Sequence, residues 1–176
     1  MMTVQELRAL SRQLTESFFC RQVGPFVLVQ KPPSPVMAQL ALKMGAARTT
    51  MARDIPSLER QQVALWLHFD ALTVATLPPV EGQDVLTVGR QPDCDLVVNE
   101  PSVSKRHAQL CWHGPAAGCT LVDLRSSNGT FINAKQLEPG GELHVRDGDL
   151  LGFGDATFAF LLAPSFYVKM RQRASL

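Results

Sequence analysis

Three short polar clusters lie between Gly89 and Thr130 and hold most of the side chains suited to binding a ligand. They read Gly-Arg at 89–90, Ser-Lys-Arg-His at 104–107 and Ser-Ser-Asn-Gly-Thr at 126–130. Each cluster stands beside short runs of apolar and β-branched residues, so each is expected on a loop between strands. Loops that converge at one end of a β-sandwich can share one ligand, and these side chains indicate its chemistry.

The clusters carry the groups that bind a phosphate ester. A phosphate on threonine brings about −1.5 to −2 charges and three acceptor oxygens, and it is held by cations together with neutral donors. Arg90 offers a planar guanidinium that fits a phosphate, and Arg106 offers a second cation. Ser104 and Ser127 offer hydroxyls. Asn128 can both donate and accept, which suits the main chain of a bound peptide.

The distribution of charge favours an anion site in this part of the chain. Residues 63–163 carry six Lys and Arg against twelve Asp and Glu, whereas the segments before and after them are net basic. Cations in an acidic domain are expected to have specific roles, and two of the six, Arg90 and Arg106, fall in the polar clusters. The whole chain has a net charge of +1, which gives no general attraction to nucleic acid or to a membrane surface.

The elements that position these loops are predicted to be short β-strands. Apolar runs recur between Gly, Pro, Asn and Asp clusters, and Ala108 to Trp112 alternates as a half-buried strand does. This pattern predicts an all-β sandwich of two antiparallel-rich sheets rather than a parallel α/β sheet. Asp-Gly at 147–148 predicts a hairpin. The predicted strands are 63–69, 72–77, 85–89, 96–98, 108–112, 119–124, 130–132, 142–145, 150–153 and 157–162.

The chain divides into three parts in this interpretation. Residues 1–62 form a partly helical N-terminal extension with a Pro-rich linker, 63–163 form the sandwich, and 164–176 form a basic tail. Helical spacing covers residues 3–19, and a T-x-x-E capping box stands at its start. A second short helix is predicted over 36–44. The extension carries no catalytic signature, so its role is left open.

The motifs, in their order along the chain, resemble the signature of the forkhead-associated (FHA) domain family. The resemblance covers roughly residues 63–163, and the family implies a sandwich whose loops at one end bind phosphothreonine peptides. The chain is therefore similar to a bacterial-type phosphothreonine-binding protein. The residues that carry the resemblance are Gly89-Arg90, Ser104-x-x-His107, Asn128-Gly129-Thr130 and Asp147-Gly148-Asp149.

The resemblance also implies a role for each matching residue. Three residues would contact the phosphate, two cations would be accessory contacts, and one amide would hold the peptide main chain. These are, in that order, Arg90, Ser104 and Ser127; Lys105 and Arg106; and Asn128. Four further residues would support the site without contacting the ligand: Gly89, His107, Gly129 and Thr130. Lys105 departs from the polar amide common at this position, which leaves the peptide preference open.

A catalytic interpretation of the same residues is weaker. Ser104, His107 and Asp123 could be taken as a hydrolase triad, but the sequence has no G-x-S-x-G elbow. The serine and the histidine are also only three residues apart on a predicted loop. No catalytic residue is therefore expected, and the protein is not predicted to be an enzyme.

No metal or other cofactor is predicted. The acidic residues at 147–149 lack the rest of a calcium-binding loop. Cys111, His113 and Cys119 lack the second ligand pair that zinc sites have. Recognition would therefore rest on charge-assisted hydrogen bonds from the chain itself.

The predicted function is that of an adaptor module in Ser/Thr kinase signalling, with phosphothreonine-containing proteins as partners, such as a Ser/Thr kinase or its substrates. The alternative is a structural or assembly module that docks on proteins without phosphate dependence. Binding of nucleic acid by the basic flanks is disfavoured, because no aromatic residues are interleaved with the basic ones. Thr49 and Thr50, in a basic stretch, are candidate phosphosites that could contact the chain's own loops.

The cysteines and the N-terminus predict a cytoplasmic protein. The four cysteines form no C-x-x-C pair, which favours free thiols in a reducing compartment. Charged residues interrupt the N-terminal segment, so no signal peptide is predicted. No apolar run approaches the roughly 18–20 residues that span a bilayer, so membrane insertion is not expected.

Overall fold

A computed structural model describes residues 2–32, 63, 66–67, 72–76 and 84–172 of the chain. The described residues form a β-sandwich of a seven-stranded and a five-stranded sheet, with helices packed on the outer face of the larger sheet. No helix among them is long and apolar enough to cross a membrane.

The two sheets are built from short strands. One sheet contains β1 (Met2–Thr3), β2 (Phe26–Gln30), β3 (Thr73–Thr76), β8 (Thr130–Ile132), β9 (Lys135–Gln136), β11 (Leu150–Phe153) and β12 (Ala156–Leu162). The other contains β4 (Val85–Gly89), β5 (Leu96–Val97), β6 (Ala108–Trp112), β7 (Cys119–Asp123) and β10 (Glu142–Val145). Their strand orders are β1-β3-β2-β12-β11-β8-β9 and β10-β7-β6-β4-β5. Among the described pairs, β4 and β5 are parallel and the others are antiparallel.

Alternation along the strands creates two apolar cores. On β12, Phe158 and Phe160 point between the sheets, whereas Ala159 and Leu161 point toward the helices. From Phe158 to Leu161 both faces of β12 are buried, and this part of its sequence is a continuous apolar run. β6 is buried on one face, and its predicted alternation from Ala108 is confirmed.

The N-terminal segment forms two helices, α1 (Val4–Gln13) and α2 (Glu16–Val23), where the sequence predicts one helix over residues 3–19. The two residues between them have extended backbone, which ends the first helix. The predicted capping box is confirmed. Glu6 N donates to Thr3 Oγ1 at 3.2 Å, and Thr3 N donates to the Glu6 carboxylate at 2.7 Å.

The C-terminal segment, which the sequence describes as a tail from residue 164, begins instead with a helix, α3 (Ala163–Arg171). Pro164 suits the first turn of a helix, where its missing N–H costs nothing. Phe166 and Tyr167 are buried, and the Phe166 ring stacks on Phe19 with centroids 6.2 Å apart. The N-terminal and C-terminal helices therefore form one layer docked on the seven-stranded sheet.

The seven-stranded sheet includes residues that the sequence assigns to the extension. Strand β2 lies between β3 and β12 and pairs with both, with Val29 opposite Val74 on one side and Ala159 on the other. A division at residue 63 therefore does not separate the sandwich from what precedes it. The partner strand β12 lies at the other end of the chain, and the sequence pattern gives no sign of that pairing.

Residues 63–69, predicted as a strand, are helical where the structure describes them. Leu67 N donates to the Val63 carbonyl at 3.3 Å, which is an i to i−4 helical bond. Val63 and Trp66 are buried in the core under the helices. A short apolar run fits a strand or a buried helix equally well, and tertiary packing decides between them. The helix predicted over 36–44 lies outside the described residues.

A tight turn at 146–149 connects β10 to β11, where the sequence predicts a hairpin. Asp149 N donates to the Arg146 carbonyl at 3.1 Å, but the two strands belong to different sheets. On β10, Val145 lies opposite Cys119, the first residue of β7. The turn is therefore at the opposite end of the sandwich from the loop that follows β7.

Candidate functional site

The loops after β4 and β5 are joined by backbone hydrogen bonds. Arg90 N donates to the Ser104 carbonyl at 3.0 Å, and Gln91 N donates to the Lys105 carbonyl at 3.0 Å. Gly89 allows this approach, because a Cβ at that position would lie 2.3 Å from the Lys105 carbonyl oxygen. The first two polar clusters of the sequence are therefore neighbours in the fold.

The third cluster meets the second through two serine hydroxyls. Ser104 Oγ donates to Ser127 Oγ at 3.4 Å, and Ser127 N donates to Ser104 Oγ at 3.0 Å. Ser104 is half-buried and Ser127 is exposed. The two hydroxyls thus lie side by side at the surface, next to the peptide group of Arg90.

His107 is buried beneath the serines and links two of the loops. Its Nδ1 accepts from Ser104 N at 3.0 Å, so its proton is on Nε2, which donates to the Gly129 carbonyl at 3.1 Å. Burial lowers the pKa of His107, although the Gly129 carbonyl and the negative charge of Asp123 offset part of the effect. A neutral imidazole with 0% exposure fits a supporting role and not contact with a ligand.

The same geometry argues against a hydrolase triad. His107 Nδ1 bonds the backbone of Ser104, not its hydroxyl, and His107 Nε2 bonds a carbonyl, not Asp123. Among the described residues, the Ser104 hydroxyl therefore has no base to accept its proton.

Asn128 is exposed at the tip of the β7–β8 loop, and its side chain is anchored at one end. Asn128 Nδ2 donates to the Ser102 carbonyl at 2.7 Å, and Ser102 Oγ accepts from Asp155 N at 2.9 Å. A Cβ at Gly154 would lie 2.7 Å from the Ser102 carbonyl oxygen, so the β11–β12 turn is also close. Within the described residues, Asn128 Oδ1 has no partner and is available to a ligand. Sequence reasoning missed Ser102, because the atom that orients Asn128 is a backbone carbonyl.

Asp123, the last residue of β7, is a second residue whose part in the site the sequence does not reveal. It is 3% exposed. Its Oδ1 accepts from the hydroxyls of Ser126 and Thr130, each at 2.6 Å, and its Oδ2 accepts from the N–H groups of Ser126 and Gly140, each at 3.2 Å. Burial alone would raise the pKa of Asp123, but these hydrogen bonds outweigh it and the pKa is lowered.

The cations of the first two clusters are all exposed, but they differ in their partners. Arg106 Nη2 lies 3.0 Å from Asp93 Oδ2, and the two side chains are 58% and 57% exposed. Water and salt screen such a pair, which makes it weak. In the described part of the chain, the side chains of Arg90 and Lys105 have no hydrogen-bond or ion-pair partner. Arg90 is therefore free to bind an anion, whereas Arg106 would first have to leave Asp93.

The remaining predicted residues are two that would support the site, Gly129 and Thr130, and the two candidate phosphosites. Gly129 has a φ of +84°, which favours glycine, and its carbonyl accepts the imidazole N–H. Thr130 begins β8 and is 0% exposed, so it cannot reach a ligand. Thr49 and Thr50 lie outside the described residues.

Comparison with known proteins finds similarity over the part of the chain that carries this arrangement. Residues 86–154 match the family model named FHA domain. Protein FraH of Nostoc sp. is 35% identical over 146 residues, which cover 77% of this chain and 43% of that protein. Glycogen accumulation regulator GarA of Mycolicibacterium smegmatis is 33% identical over 82 residues, which cover 47% of this chain and 49% of that protein. The chain spans about half of each of these two curated relatives.

A solved structure shares the fold. The yeast Dun1 FHA domain, in complex with a doubly phosphorylated peptide, matches with a TM-score of 0.51 and 20% sequence identity. The match covers 82% of this chain and 78% of that one. The all-β sandwich of two antiparallel-rich sheets with helices at the N-terminus, as predicted from the sequence, is therefore confirmed.

Proposed function

We propose that the chain, whose residues 86–154 match the FHA domain model, binds phosphothreonine peptides as an adaptor module in Ser/Thr kinase signalling. A phosphothreonine dianion would lie at the end of the sandwich where the three polar clusters meet. The proteins it joins would be phosphothreonine-containing partners, such as a Ser/Thr kinase or its substrates. We place this activity in the cytoplasm.

One observation carries the proposal: the residue bonded through its backbone to Ser104 is an arginine whose guanidinium has no partner among the described residues, and the Ser104 hydroxyl meets a second hydroxyl. Arg90 is tied through its backbone to Ser104, and the Ser104 and Ser127 hydroxyls are 3.4 Å apart. A phosphate oxygen that accepts from both hydroxyls would replace the weak bond between them. Charge-assisted bonds from the guanidinium are stronger than bonds between neutral groups. The two serine hydroxyls are held in place before a ligand arrives, which reduces the entropy cost of binding.

The surroundings suit a peptide more than a free phosphate ion. Asn128 Oδ1 lies at the loop tip without a partner in the described part of the chain, where it can accept from a peptide N–H. Lys105 adds a second exposed cation. The domain between residues 63 and 163 is otherwise net acidic, so anion binding would be confined to this end.

A solved structure with the same fold also supports binding of a phosphopeptide. The Dun1 FHA domain was solved with a doubly phosphorylated peptide, and that ligand class matches the chemistry of the loops described here. We expect a moderate affinity in the micromolar range, about −8 kcal/mol, as in transient signalling contacts. Binding should weaken when salt rises, because the site is exposed. It should also weaken when pH falls below the second pKa of the phosphate, about 6.

The test is binding of a phosphothreonine peptide library, with unphosphorylated and phosphoserine versions of each peptide as controls. The wild-type chain should bind the phosphothreonine form, and Arg90→Ala should lose most of that binding. Arg146→Ala is the matched control, because it removes the same charge from the turn at the opposite end of the sandwich. If no peptide binds in a phosphate-dependent way, the alternative of a docking module independent of phosphate takes its place.

Thr49 and Thr50 add a separate proposal about an intramolecular partner. A phosphate on one of them would place a ligand on a tether, at roughly millimolar effective concentration when the tether length suits the span. The test is to phosphorylate the chain with a Ser/Thr kinase, locate the phosphate by mass spectrometry and measure binding of an external phosphopeptide. Unchanged binding after modification of either threonine would exclude self-occupation.

A further inference from the structure

The loop that carries Ser127 and Asn128 crosses from one sheet to the other, and a single carboxylate holds both of its ends. β7 ends at Asp123 in the five-stranded sheet, and β8 begins at Thr130 in the seven-stranded sheet. Thr130 Oγ1 donates to Asp123 Oδ1 at 2.6 Å. This bond closes the base of a six-residue loop, 124–129.

The same carboxylate also fixes the interior of the loop and a neighbouring segment. Ser126 donates to it twice, through its hydroxyl at 2.6 Å and its N–H at 3.2 Å. Gly140 N, from the connection between β9 and β10, donates at 3.2 Å. Asp123 therefore joins three separate pieces of chain around the position of Ser127.

The backbone of the loop needs such an anchor. Arg125 has a φ of +57°, a left-handed conformation that residues with a side chain adopt rarely. Strained conformations persist only when the surrounding contacts determine them. On one side of Arg125, Leu124 N donates to the His107 carbonyl at 2.9 Å, and on the other side Ser126 is bonded to the Asp123 carboxylate. The carboxylate is therefore one of the two contacts that hold the strained residue in place.

We propose that Asp123 is the positioning residue of the phosphate site: its buried carboxylate sets where Ser127 and Asn128 stand, without touching the ligand itself. This inference rests on the proposed function. It goes beyond it by naming a residue that is 3% exposed and cannot reach a peptide. Loss of the carboxylate should free the loop, separate the Ser127 hydroxyl from Ser104 and weaken phosphopeptide binding.

The hydrogen-bond pattern predicts which substitution is tolerated. Asp123 Oδ2 accepts from two backbone N–H groups, which can never act as acceptors, whereas Oδ1 accepts from two hydroxyls, which can. In Asp123→Asn, the amide oxygen can take the Oδ2 position while the NH2 group donates to the hydroxyls. All four contacts then survive with two of them reversed. Asp123→Ala instead leaves four donor groups without their partner, and one of them, the Thr130 hydroxyl, belongs to a residue that is 0% exposed.

Asp149 provides a matched control for general loss of stability. Its carboxylate also accepts two hydrogen bonds, from Asn133 Nδ2 at 2.9 Å and from Arg146 N at 2.7 Å. It lies at the opposite end of the sandwich from the site. Asp149→Ala therefore removes a hydrogen-bonded carboxylate, half-buried and with two bonds instead of four, without touching the loop.

The experiment measures two quantities in the full chain for the wild type, Asp123→Ala, Asp123→Asn and Asp149→Ala. The first is the Kd for the phosphothreonine peptide that binds best in the library, and the second is hydrogen exchange of the Ser127 amide, which donates to Ser104 Oγ. We expect Asp123→Ala to raise the Kd about tenfold or more, which corresponds to about 1.4 kcal/mol, and to accelerate the exchange. Asp123→Asn should stay within about threefold of the wild type, and Asp149→Ala within about twofold, whatever it does to the Tm.

Two results would overturn the inference. One is an unchanged Kd and unchanged Ser127 exchange in Asp123→Ala. The other is an equal rise of the Kd in Asp149→Ala and Asp123→Ala when the two variants have the same Tm. The loss of binding would then follow from lower stability and not from the position of the loop. If the wild type binds no phosphothreonine peptide, the proposed function has failed. The exchange of the Ser127 amide then still decides whether Asp123 positions the loop.

Discussion

Substitution of Gly89 by alanine should disturb the site, although the added methyl group would not contact a ligand. A Cβ at this position would lie 2.3 Å from the Lys105 carbonyl oxygen, 2.8 Å from Cys94 Sγ and 3.0 Å from Arg106 Cα. Two of these three atoms belong to the backbone and cannot move aside by a change of rotamer. The end of β4 must therefore separate from the loop before β6, and the bonds from Arg90 N to Ser104 and from the next amide to Lys105 lengthen or break.

The cost follows from these contacts. Overpacking of a tight site costs about 1–3 kcal/mol. Each lost backbone hydrogen bond adds about 1 kcal/mol. We therefore expect Gly89→Ala to lower the free energy of unfolding by about 3–5 kcal/mol in a urea titration, with the variant still folded if the domain has ordinary stability. Because Arg90 shifts relative to Ser104, the Kd for a phosphothreonine peptide should rise about tenfold.

Gly114→Ala is the control for the effect of adding a methyl group. Among the described residues, no atom outside its two chain neighbours lies within 4 Å of a Cβ there, although the φ of +95° still makes alanine strained. Gly114 follows β6, at the other end of that strand from the site, so its variant should lose some stability and keep the wild-type Kd. A Gly89→Ala protein within about 0.5 kcal/mol of the wild type, with an unchanged Kd, would refute the role given to this glycine.

Two further predictions concern the buried layers of the molecule. Burial lowers the pKa of His107 below its unfolded value of about 6.5, so the unfolded chain binds more protons between these two pKa values. The free energy of unfolding should therefore fall as pH drops below about 6.5 and become level below the folded pKa, and a urea series should show this step reduced in His107→Gln. An equally large fall of the free energy of unfolding in His107→Gln would contradict its assignment to His107. Phe166→Ala should cost about 3–5 kcal/mol, because a buried ring is lost between α3 and the sheet, yet leave the phosphopeptide Kd unchanged. A weaker Kd in Phe166→Ala would show that the helical layer is coupled to the site.

The sequence predicts which polar residues meet at this end of the sandwich because its signals are local. Arg90, Ser104 and Asn128 stand on turns whose polar residues differ from the apolar strands beside them. Strand alternation predicts that these turns are exposed loops, and the family resemblance brings them together. The structure places Ser104 beside Ser127 and joins its backbone to Arg90.

The contacts that hold the site are less visible in the sequence. Asp123 reads as an inward residue of a strand, and nothing local shows that four donors converge on it. Ser102 acts through its carbonyl, a group that every residue has. Such roles depend on which segments meet in the fold, and a single sequence does not encode that in its periodicity.

Dependence on distant segments also explains where the observed fold differs from the predicted one. The strand at Phe26–Gln30 lies in the segment assigned to the extension, and its insertion between β3 and β12 depends on pairing with residues far along the chain. The helix at Ala163–Arg171 places Phe166 and Met170 on one buried face, at helical spacing. The basic residues near its end led instead to the prediction of a tail. Charge at the end of a helix is compatible with docking, because Lys and Arg favour the C-terminal turn.

Whether this chain recognises phosphate is decided by comparing Arg90→Ala with Arg146→Ala on one phosphothreonine peptide by isothermal titration. Both variants lose one exposed arginine from the same domain, so general charge effects are equal. Loss of charge-assisted bonds at Arg90 should weaken binding by about 1.5–3 kcal/mol, whereas Arg146→Ala should match the wild type. The unphosphorylated peptide should bind none of the three proteins. Equal affinities of the two variants, or binding that persists without the phosphate, would contradict the proposed site.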